Sequence, residues 1–298
     1  MDFDFPYTDE EKAILRKWQV CQLACLSKTH TFMQAEGLNY WIDCGTLLGA
    51  IRHKAFVPWD DDIDLCLLEA DFLTLRQKAK QIPELGKNFG ISIHLSSHDP
   101  YYIGIGLSGL PRNSIDIYCV QRFRFGRMSV ILKKINRKLY FLARHFEFDG
   151  TFPDGDKQGK KRFFPSLEGL RAIFKKKHSW RGRAQIGLLP FAPLLRLIVP
   201  LMGLSVRLLL KYLQTPDGKF VSYHLNSRFC FETSVQASTV FPLSLLEFEG
   251  QLFYAPSNPH QYLVALYGDY KTPPPLSNRV ISHYTLEEIR QFLNELKL

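Results

Sequence analysis

Four aspartates stand close together at the start of an apolar stretch: Asp60, Asp61 and Asp62 are consecutive, and Asp64 follows in DDDIDLCLL. Alternate residues of a strand share one face, so we expect Asp62 and Asp64 to point the same way, about 6 to 7 Å apart. Two such carboxylates can share one or two hard divalent cations, and oxygen ligands favour magnesium or manganese. We therefore predict a metal site at Asp62 and Asp64, which Asp60 joins if the strand begins early.

A third carboxylate occurs in a second alternating stretch, NSIDIYC, where Asp116 lies between two isoleucines. Burying an unpaired carboxylate is unfavourable, so we predict that the two strands are neighbours and that Asp116 completes the metal site. A solvated acidic turn is the alternative. It accounts for Asp60 and Asp61 but not for Asp64, which has apolar residues on both sides. A calcium-binding EF-loop is excluded, because its sixth position would be leucine instead of glycine.

The stretch DCGTLLGAIRH, which precedes the aspartates, indicates a strand, a glycine turn and the start of a helix. Backbone N–H groups at Gly45 and the hydroxyl of Thr46 would suit a phosphate group there. Arg52 and His53 add positive charge within reach of the same place. Each feature alone is weak evidence, but a phosphate pocket directly followed by a metal-binding pair is a much more specific signal.

The elements that must position these residues follow from hydrophobic periodicity and helix-capping signals. We predict a first helix over 9–36, which Thr8 and Glu11 would cap, and a last helix capped by Thr285 and Glu288. The predicted strands are 40–43, DIDLCLL, ISIHLSS, YYIGIGLSG and NSIDIYCV, and the helix EADFLTLRQKAKQI follows the second of them. This order predicts an α+β fold with a small mixed sheet flanked by helices.

A second glycine motif, GIGLSG, matches the spacing of a dinucleotide-binding loop. That loop requires a helix directly after the glycines, and the following LPRNS indicates a turn instead. We therefore reject a nicotinamide site.

The middle of the chain differs in character from its two ends. Residues 121–184 contain 18 Lys and Arg against five Asp and Glu, whereas the whole chain of 298 residues has a formal net charge of +9. The stretch 186–210 is strongly apolar. We predict a catalytic core of residues 1–120 plus 221–298, interrupted by a basic and apolar helical insertion over 121–220.

The composition of the insertion predicts an anionic partner. The apolar stretch 186–210 contains three prolines and a central arginine, which argue against a membrane-spanning helix. An apolar segment beside a basic one fits an anionic membrane surface. A buried helical hairpin, or a lid over the active site, is the alternative.

The cysteines indicate a reducing compartment. None of the six forms a C-x-x-C pair, and three lie in apolar, strand-like stretches, which favours buried thiols over a disulfide or zinc framework. The acidic N-terminal sequence lacks the basic and apolar regions of a signal peptide. We expect a cytoplasmic protein, peripheral on the inner membrane face if the insertion binds lipid.

Two stretches resemble a known family. GTLLGAIRHKAFVPWDDDIDL resembles the signature of the LicD phosphotransferase family, to which the fukutin-type enzymes are related. FPLSLLEFEGQLFYAPSNPHQYLVALYGDYKTPPP is similar to that family's second block. The matching blocks lie at 37–120 and 240–283, whereas 121–220 has no match.

The resemblance implies a polymerase-β-like nucleotidyltransferase fold. That superfamily pairs a Gly-Ser or Gly-Thr turn with an Asp-x-Asp strand and a third carboxylate on a neighbouring strand. In this sequence the turn corresponds to Gly45 and Thr46, the strand to Asp62 and Asp64, and the third carboxylate to Asp116.

The resemblance also implies a reaction. Members of the family transfer a substituted phosphate from a CDP-activated donor, such as CDP-choline or a CDP-linked polyol, to a sugar hydroxyl, and CMP leaves. The acceptor would be a cell-surface glycan such as lipopolysaccharide, teichoic acid or capsule, and it would be lipid-linked if the insertion binds a membrane. Magnesium or manganese would be the cofactor.

The resemblance assigns roles to several residues. Thr46 and Arg52, with Gly45 and His53 beside them, would hold phosphate oxygens, and Asp116 would orient or deprotonate the acceptor hydroxyl. Three residues of the second block would shape the donor pocket: Glu249, Tyr267 and Asp269.

Two other classes of protein stay open. One is a nucleotidyltransferase that uses a nucleoside triphosphate, and the other is a non-catalytic glycan or membrane adaptor. The sequence lacks the interleaved aromatic and basic residues of RNA-reading surfaces, so we expect no nucleic-acid partner.

Overall fold

The computed structural model describes residues 5–97, 99–109, 114–146, 192–224 and 233–296. Helices and a curled mixed sheet form an α+β fold, which confirms the predicted class. The chain divides into two compact units: a sheet unit of residues 1–126 and 214–298, and an insertion unit of residues 127–213.

Regular elements fill most of the described chain. The helices there are α1 (Asp9–Ala35), α2 (Cys44–His53), α3 (Glu69–Gln81), α4 (Gly126–Phe146), α5 (Ala192–Leu213), α6 (Ala237–Val240), α7 (Pro259–Tyr267) and α8 (Leu286–Glu295). The strands there are β1 (Tyr40–Ile42), β2 (Ile63–Leu68), β3 (Ile91–Leu95), β4 (Tyr102–Leu107), β5 (Ile115–Phe123), β6 (Phe220–Tyr223), β7 (Val235–Gln236), β8 (Ser244–Phe248) and β9 (Gln251–Ala255).

Strand β5 organises the sheet. On one side β2 runs parallel to it, and β1 lies antiparallel to β2. On its other side, the first part of β5 pairs with β4, and β3 lies beyond β4. The last part of β5 pairs with β6 on that same side, and β7 lies beyond β6. The pairing of β5 with β6 ends at Phe123 opposite Phe220, so the chain leaves and re-enters the sheet at neighbouring positions. This continuation of β5 and β6 is the reason that the sheet unit reaches beyond the predicted boundaries at 120 and 220.

The two terminal helices form as their capping signals predict. The side chain of Thr8 accepts the backbone N–H of Glu11, and the side chain of Glu11 accepts the backbone N–H of Thr8. Thr285 and Glu288 form the same pair of hydrogen bonds at the start of α8. Each such cap stabilises its helix by about 1 kcal/mol. The predicted first helix, 9–36, ends one residue earlier, at Ala35.

The core covers both faces of the central strands. Ile63, Leu65, Cys66 and Leu67 of β2 are all fully buried, as expected for a strand in the middle of a sheet with helices on it. A second, smaller cluster joins α1 to α8 and includes Trp59, which directly precedes the aspartates. The acidic segment is therefore held between two apolar clusters.

Several other predictions can be compared with the structure. The first two glycines of GIGLSG lie in β4 and the third lies in the turn after it, so the motif belongs to an antiparallel strand. The five cysteines within the described residues are free and buried, while Cys230 lies outside them. None of the helices in the described parts of the chain combines the length and hydropathy needed to cross a bilayer.

Candidate active site

Three aspartates meet where β2 and β5 begin. Parallel pairing places Asp64 opposite Asp116, so both side chains project from the same face of the sheet. Asp62 precedes Asp64 by two residues and shares that face, while Ile63 and Leu65 are fully buried on the other. Asp62 and Asp64 are each only 7% exposed. The structure thus brings together the three carboxylates that the sequence indicated.

Burial raises the pKa of each carboxyl group in this cluster, and for Asp60, Asp62 and Asp64 the neighbouring carboxylates raise it further. Burial is the largest cause for Asp64, followed by the charges of Asp62 and Asp116. Burial and then the charge of Asp60 raise the pKa of Asp62, and burial raises that of Asp116. The pKa of Asp60 rises to about 7 because the group is buried beside Asp64. Four carboxyl groups that resist joint ionisation form a site that a hard cation would stabilise.

Asp60 faces the cluster although β2 begins only at Ile63. Its Oδ2 atom is buried and has no hydrogen-bond partner among the described residues. The same atom lies directly over Gly45, where a Cβ atom would approach it to 2.4 Å. Only glycine therefore fits at position 45 while Asp60 keeps this position.

The Gly-Thr turn is tied to the start of β2. The backbone N–H of Gly45 donates to Oδ2 of Asp64 at 3.2 Å, and Oγ1 of Thr46 accepts the backbone N–H of Asp64 at 2.9 Å. Thr46 is buried, so in this structure its hydroxyl braces Asp64. Phosphate binding by Gly45 and Thr46 stays a prediction.

Helix α1 fixes the backbone of the acidic segment. Trp18 Nε1 and Gln22 Nε2 donate to the carbonyl of Asp61 at 3.0 and 2.5 Å, and Gln19 Nε2 donates to the carbonyl of Asp60 at 3.0 Å. These three side chains are buried, and a buried polar group is strongly favoured to be hydrogen-bonded. The sequence analysis predicted α1 but did not reveal that its side chains bind the acidic segment.

Asp61 points away from the carboxylate cluster and is fully buried. Its Oδ2 atom accepts the backbone N–H groups of His283 and Tyr284 at 2.9 and 2.7 Å, and Oδ1 accepts that of Ser282 at 3.2 Å. Although burial opposes ionisation, hydrogen bonds from His283 and Tyr284 lower the pKa of Asp61. The alternative of a solvated acidic turn is therefore wrong for Asp61, which binds the segment before α8.

His283 enters the site through this contact, and the sequence analysis did not find it. Its Nδ1 atom lies 3.3 Å from Oδ1 of Asp61 and 3.3 Å from Oδ2 of Asp62. The bond to Asp61 and the charge of Asp62 raise the pKa of His283 to about 9. Ligand atoms of these three residues lie within 4.8 Å of one another. Because backbone N–H groups occupy the oxygens of Asp61, we regard Asp61 as the support of His283 and not as a metal ligand.

Asp116 is buttressed by two tyrosines that the sequence analysis also missed. Tyr102 of β4 donates its hydroxyl to Oδ1 of Asp116 at 2.6 Å, and the hydroxyl of Tyr118 lies 3.5 Å from Oδ2. The alternating pattern of β4 and β5 contains both tyrosines, but only the strand pairing shows that they meet Asp116. Oδ2 therefore remains the less tightly held oxygen.

Two arginines lie around Trp59, beside the aspartates. The guanidinium carbons of Arg52 and Arg279 are 5.9 and 5.4 Å from the ring centroid of Trp59. Arg52 donates to Nε2 of His53 at 2.9 Å and to the carbonyl of Tyr270 at 3.3 Å. Burial and the neighbouring Arg52 lower the pKa of His53 to about 4, so His53 is neutral at pH 7 and adds no positive charge, contrary to expectation.

Glu249 is engaged in the hairpin between β8 and β9. It sits in the turn with φ +52°, forms an ion pair with Arg16 at 2.6 Å and accepts the backbone N–H of Phe56 at 3.2 Å. These contacts fasten the hairpin to α1 and to the segment after α2. The structure thus gives Glu249 a structural role, and its predicted place in a donor pocket gains no support from these contacts.

Tyr267 and Asp269 differ in their surroundings. Tyr267 is 38% exposed, and burial and the charges of Cys44 and Asp64 raise its pKa. Asp269 is exposed and accepts the hydroxyl of Thr272 at 2.6 Å. Of the two, only Tyr267 is influenced by an aspartate of the candidate site, and a role of either residue in a donor pocket stays a prediction.

Comparison with known proteins agrees with this arrangement. Residues 37–125 match the family described as LicD/FKTN/FKRP, nucleotidyltransferase domain. This range contains the Gly-Thr turn, the aspartates of β2 and Asp116, and it excludes Glu249, Tyr267, Asp269 and His283.

Three curated proteins illustrate the similarity. Lipopolysaccharide cholinephosphotransferase LicD of Haemophilus influenzae is 46% identical over 55 residues, which are 18% of this chain and 21% of that protein. Human ribitol 5-phosphate transferase FKRP is 43% identical over 49 residues, or 15% of this chain and 10% of that protein. An uncharacterized protein of Rickettsia prowazekii is 39% identical over 61 residues, or 20% of this chain and 23% of that protein.

The aligned stretches thus span about a quarter or less of each of these relatives. The family match, over residues 37–125, covers the Gly-Thr turn and the three carboxylates. Residues 37–125 are thus similar to the LicD/FKTN/FKRP nucleotidyltransferase domain, and the family resemblance drawn from the motifs of this stretch is confirmed.

Proposed function

We propose that this protein is a metal-dependent transferase that moves a substituted phosphate from a CDP-activated donor to a sugar hydroxyl of a cell-surface glycan and releases CMP. The observation that carries the proposal is the parallel register of β2 and β5, which sets Asp62 and Asp64 beside Asp116 next to the Gly-Thr turn. The names of two relatives, a cholinephosphotransferase and a ribitol 5-phosphate transferase, support transfer of a phosphate-linked headgroup.

The carboxylates fit a divalent cation. Asp62, Asp64 and Asp116 offer oxygen atoms only, and burial raises their pKa values, as do the neighbouring carboxylates for Asp62 and Asp64. Asp60 adds a buried oxygen that has no hydrogen-bond partner among the described residues. This donor set suits magnesium or manganese. When bound, such an ion supplies positive charge that stabilises the transferring phosphoryl group and the leaving CMP.

The residues of the chain divide the remaining tasks. Tyr102 holds Oδ1 of Asp116 and leaves Oδ2 as the atom that would accept the proton of the attacking sugar hydroxyl. The new bond joins the sugar oxygen to the transferred phosphorus, and the bond from that phosphorus to the CMP oxygen breaks. Arg52 and Arg279, which flank Trp59, would stabilise the phosphates of the donor.

The direct test is CMP release. The protein is incubated with magnesium and, in turn, with CDP-choline, CDP-ethanolamine, CDP-glycerol and CDP-ribitol, with and without a glycan acceptor. We expect one donor to yield CMP only when metal is present. Pyrophosphate release from CTP or ATP would indicate instead the nucleotidyltransferase class.

The variant that tests the metal assignment is Asp64→Asn. It keeps the size of the side chain and removes one charged ligand, so CMP release should fall by at least about a hundredfold, since a missing transition-state contact of this kind is worth several kcal/mol. Asp217→Asn, at an exposed aspartate of the same unit, is the matched control and should retain wild-type turnover. Near-normal release by Asp64→Asn would show that the metal assignment is wrong.

A further inference from the structure

The insertion unit exposes an unusual amount of apolar surface on α5. Eight large apolar side chains of this helix point to solvent: Leu194, Ile198, Leu201, Met202, Leu204, Leu208, Leu209 and Tyr212. Their spacing of three and four residues places them on one face, opposite the buried Val199, Leu210 and Leu213. An apolar face of this extent on a helix surface marks a place that meets an apolar partner.

Helix α4 also exposes apolar side chains. Met128, Ile131 and Ile135 point to solvent, while Leu132 is buried together with the polar Ser129, Lys133 and Asn136. The exposed apolar residues are interleaved with exposed basic ones: Arg127, Lys134, Arg137 and Lys138. A helix that faced only water would not gain by this arrangement, whereas a helix at a lipid surface would.

The charge of the unit selects the kind of partner. Beside the apolar face of α5 lie the exposed Arg207 and Lys211, and residues 121–184 carry 18 Lys and Arg against five Asp and Glu. A second copy of the chain would bring the same positive charge against this surface and would be repelled. Nucleic acid would match the charge but not the aliphatic side chains, which offer no rings for base stacking.

We propose that the exposed faces of α4 and α5 bind the surface of an anionic lipid bilayer, with the leucines of α5 in the acyl region and the Lys and Arg side chains at the headgroups. Tyr212, which is 74% exposed at the end of α5, suits the interface between the two regions. The inference goes beyond the proposed reaction and does not rest on it, because lipid binding is measured without any donor or metal.

The test is co-sedimentation of the full-length protein with vesicles of phosphatidylcholine mixed with phosphatidylglycerol, compared with phosphatidylcholine alone. We expect the protein to pellet with the anionic vesicles at low salt and to be released at high salt. The double variant Leu201→Glu/Leu208→Glu should lose this binding. The control Leu245→Glu/Leu252→Glu changes two leucines of the sheet unit that are equally exposed, at 56% and 57% against 55% and 59%, and should bind as the wild type does.

A second pair of variants tests the electrostatic part. Lys134→Glu/Lys138→Glu on α4 should lower the apparent partition coefficient by at least about tenfold, because each basic residue near an anionic surface contributes on the order of a factor of five. Lys17→Glu/Lys80→Glu applies the same change of charge to exposed lysines of the sheet unit and should have a much smaller effect.

Three results would overturn the proposal. One is the absence of pelleting with anionic vesicles at low salt. Another is binding that Leu201→Glu/Leu208→Glu leaves intact while the protein remains folded by circular dichroism. The third is a dimer in analytical ultracentrifugation that the same variant dissociates while vesicles are not bound, which would identify a second copy as the occupant.

Discussion

Replacing Asp61 by asparagine should release the segment before α8 from the start of β2. Asp61 is fully buried and accepts three backbone N–H groups, from Ser282, His283 and Tyr284, at 3.2, 2.9 and 2.7 Å. Asparagine has nearly the same shape, but it has one acceptor oxygen where aspartate has two, and it carries no charge.

The magnitude follows from these contacts. If the amide oxygen keeps the contacts with His283 and Tyr284, the amide nitrogen replaces Oδ1, which accepts the N–H and hydroxyl of Ser282 and contacts Nδ1 of His283. Water can replace the bonds of the exposed Ser282. The lost contact with His283 and the loss of charge from the two remaining bonds together cost about 2 to 4 kcal/mol. Relief of repulsion between Asp61 and Asp60 offsets part of this loss. Without that offset, the expected fall in Tm is roughly 4 to 16 °C, at 2 to 4 °C per kcal/mol for a domain of this size.

The assay is thermal unfolding followed by near-ultraviolet circular dichroism in metal-free buffer. Trp18, whose indole N–H donates to the carbonyl of Asp61, should also report the change in its fluorescence. Asp217→Asn, at an exposed carboxylate, should shift Tm little. Asp64→Asn removes a charge from the crowded cluster and should leave Tm unchanged or raise it.

The contrast between Asp61→Asn and Asp64→Asn is the most demanding part of this prediction. If Asp61→Asn has the same Tm as the wild type, the hydrogen bonds to residues 282–284 do not stabilise the fold as argued. If Asp64→Asn is the more damaging of the two without metal, the repulsion within the cluster has been overestimated.

Three further predictions concern the same region. In the wild type the protonated imidazole of His283 (pKa about 9) offsets part of the charge of Asp62. His283→Ala removes this positive charge and should increase the rise in Tm that magnesium causes; an unchanged rise would refute this. The metal-free protein should gain stability as pH falls from 8 to 6. The folded-state pKa values of Asp60, about 7, and His283, about 9, exceed their unfolded values, so the folded state binds more protons in this range. Urea titrations with EDTA measure how the free energy of unfolding changes with pH. Magnesium should reduce this pH dependence. Gly49→Ala should destabilise by about 1 to 3 kcal/mol, since its Cβ atom would lie 2.4 Å from the carbonyl oxygen of Ala55; an unchanged urea midpoint would contradict this.

The strands that carry the candidate site could be predicted because their pattern is local. Alternation of apolar residues with Asp62, Asp64 and Asp116 gives each strand a buried and a polar face, and those faces are the ones observed. The partner and direction of each strand are not local properties. That β2 is parallel to β5, with Asp64 opposite Asp116, is visible only in the fold.

The contacts of His283 illustrate what the sequence could not reveal. His283 is separated by more than two hundred residues from the aspartates that it touches, and SHYT at 282–285 carries no metal-binding or catalytic spacing. The function of Asp61 was hidden for the same reason, since its partners are backbone N–H groups of that segment. Almost any residue type can supply a backbone N–H group, so a hydrogen bond to the backbone cannot be recognised from the partner's residue type.

The hairpin of β8 and β9 is a different case, because a signal was present. LLEFEGQLFYA has two apolar runs joined by Glu-Gly, and a two-residue turn with glycine is typical of a hairpin. In the structure both turn residues have positive φ, +52° at Glu249 and +74° at Gly250. The motif match drew attention to Glu249 as a ligand-binding residue, whereas the turn accounts for the position of that residue.

The pairing of Phe123 with Phe220 makes β5 and β6 the two arms of a single hairpin whose loop is the whole stretch 124–219. The entropy of closing a loop grows with the logarithm of its length, by about 0.6 kcal/mol for each doubling. The sheet therefore loses little stability when this loop is lengthened or exchanged. A change of loop would alter the surface that the protein presents to binding partners. Strand β5, which carries Asp116, would keep its pairing with β2 and β4.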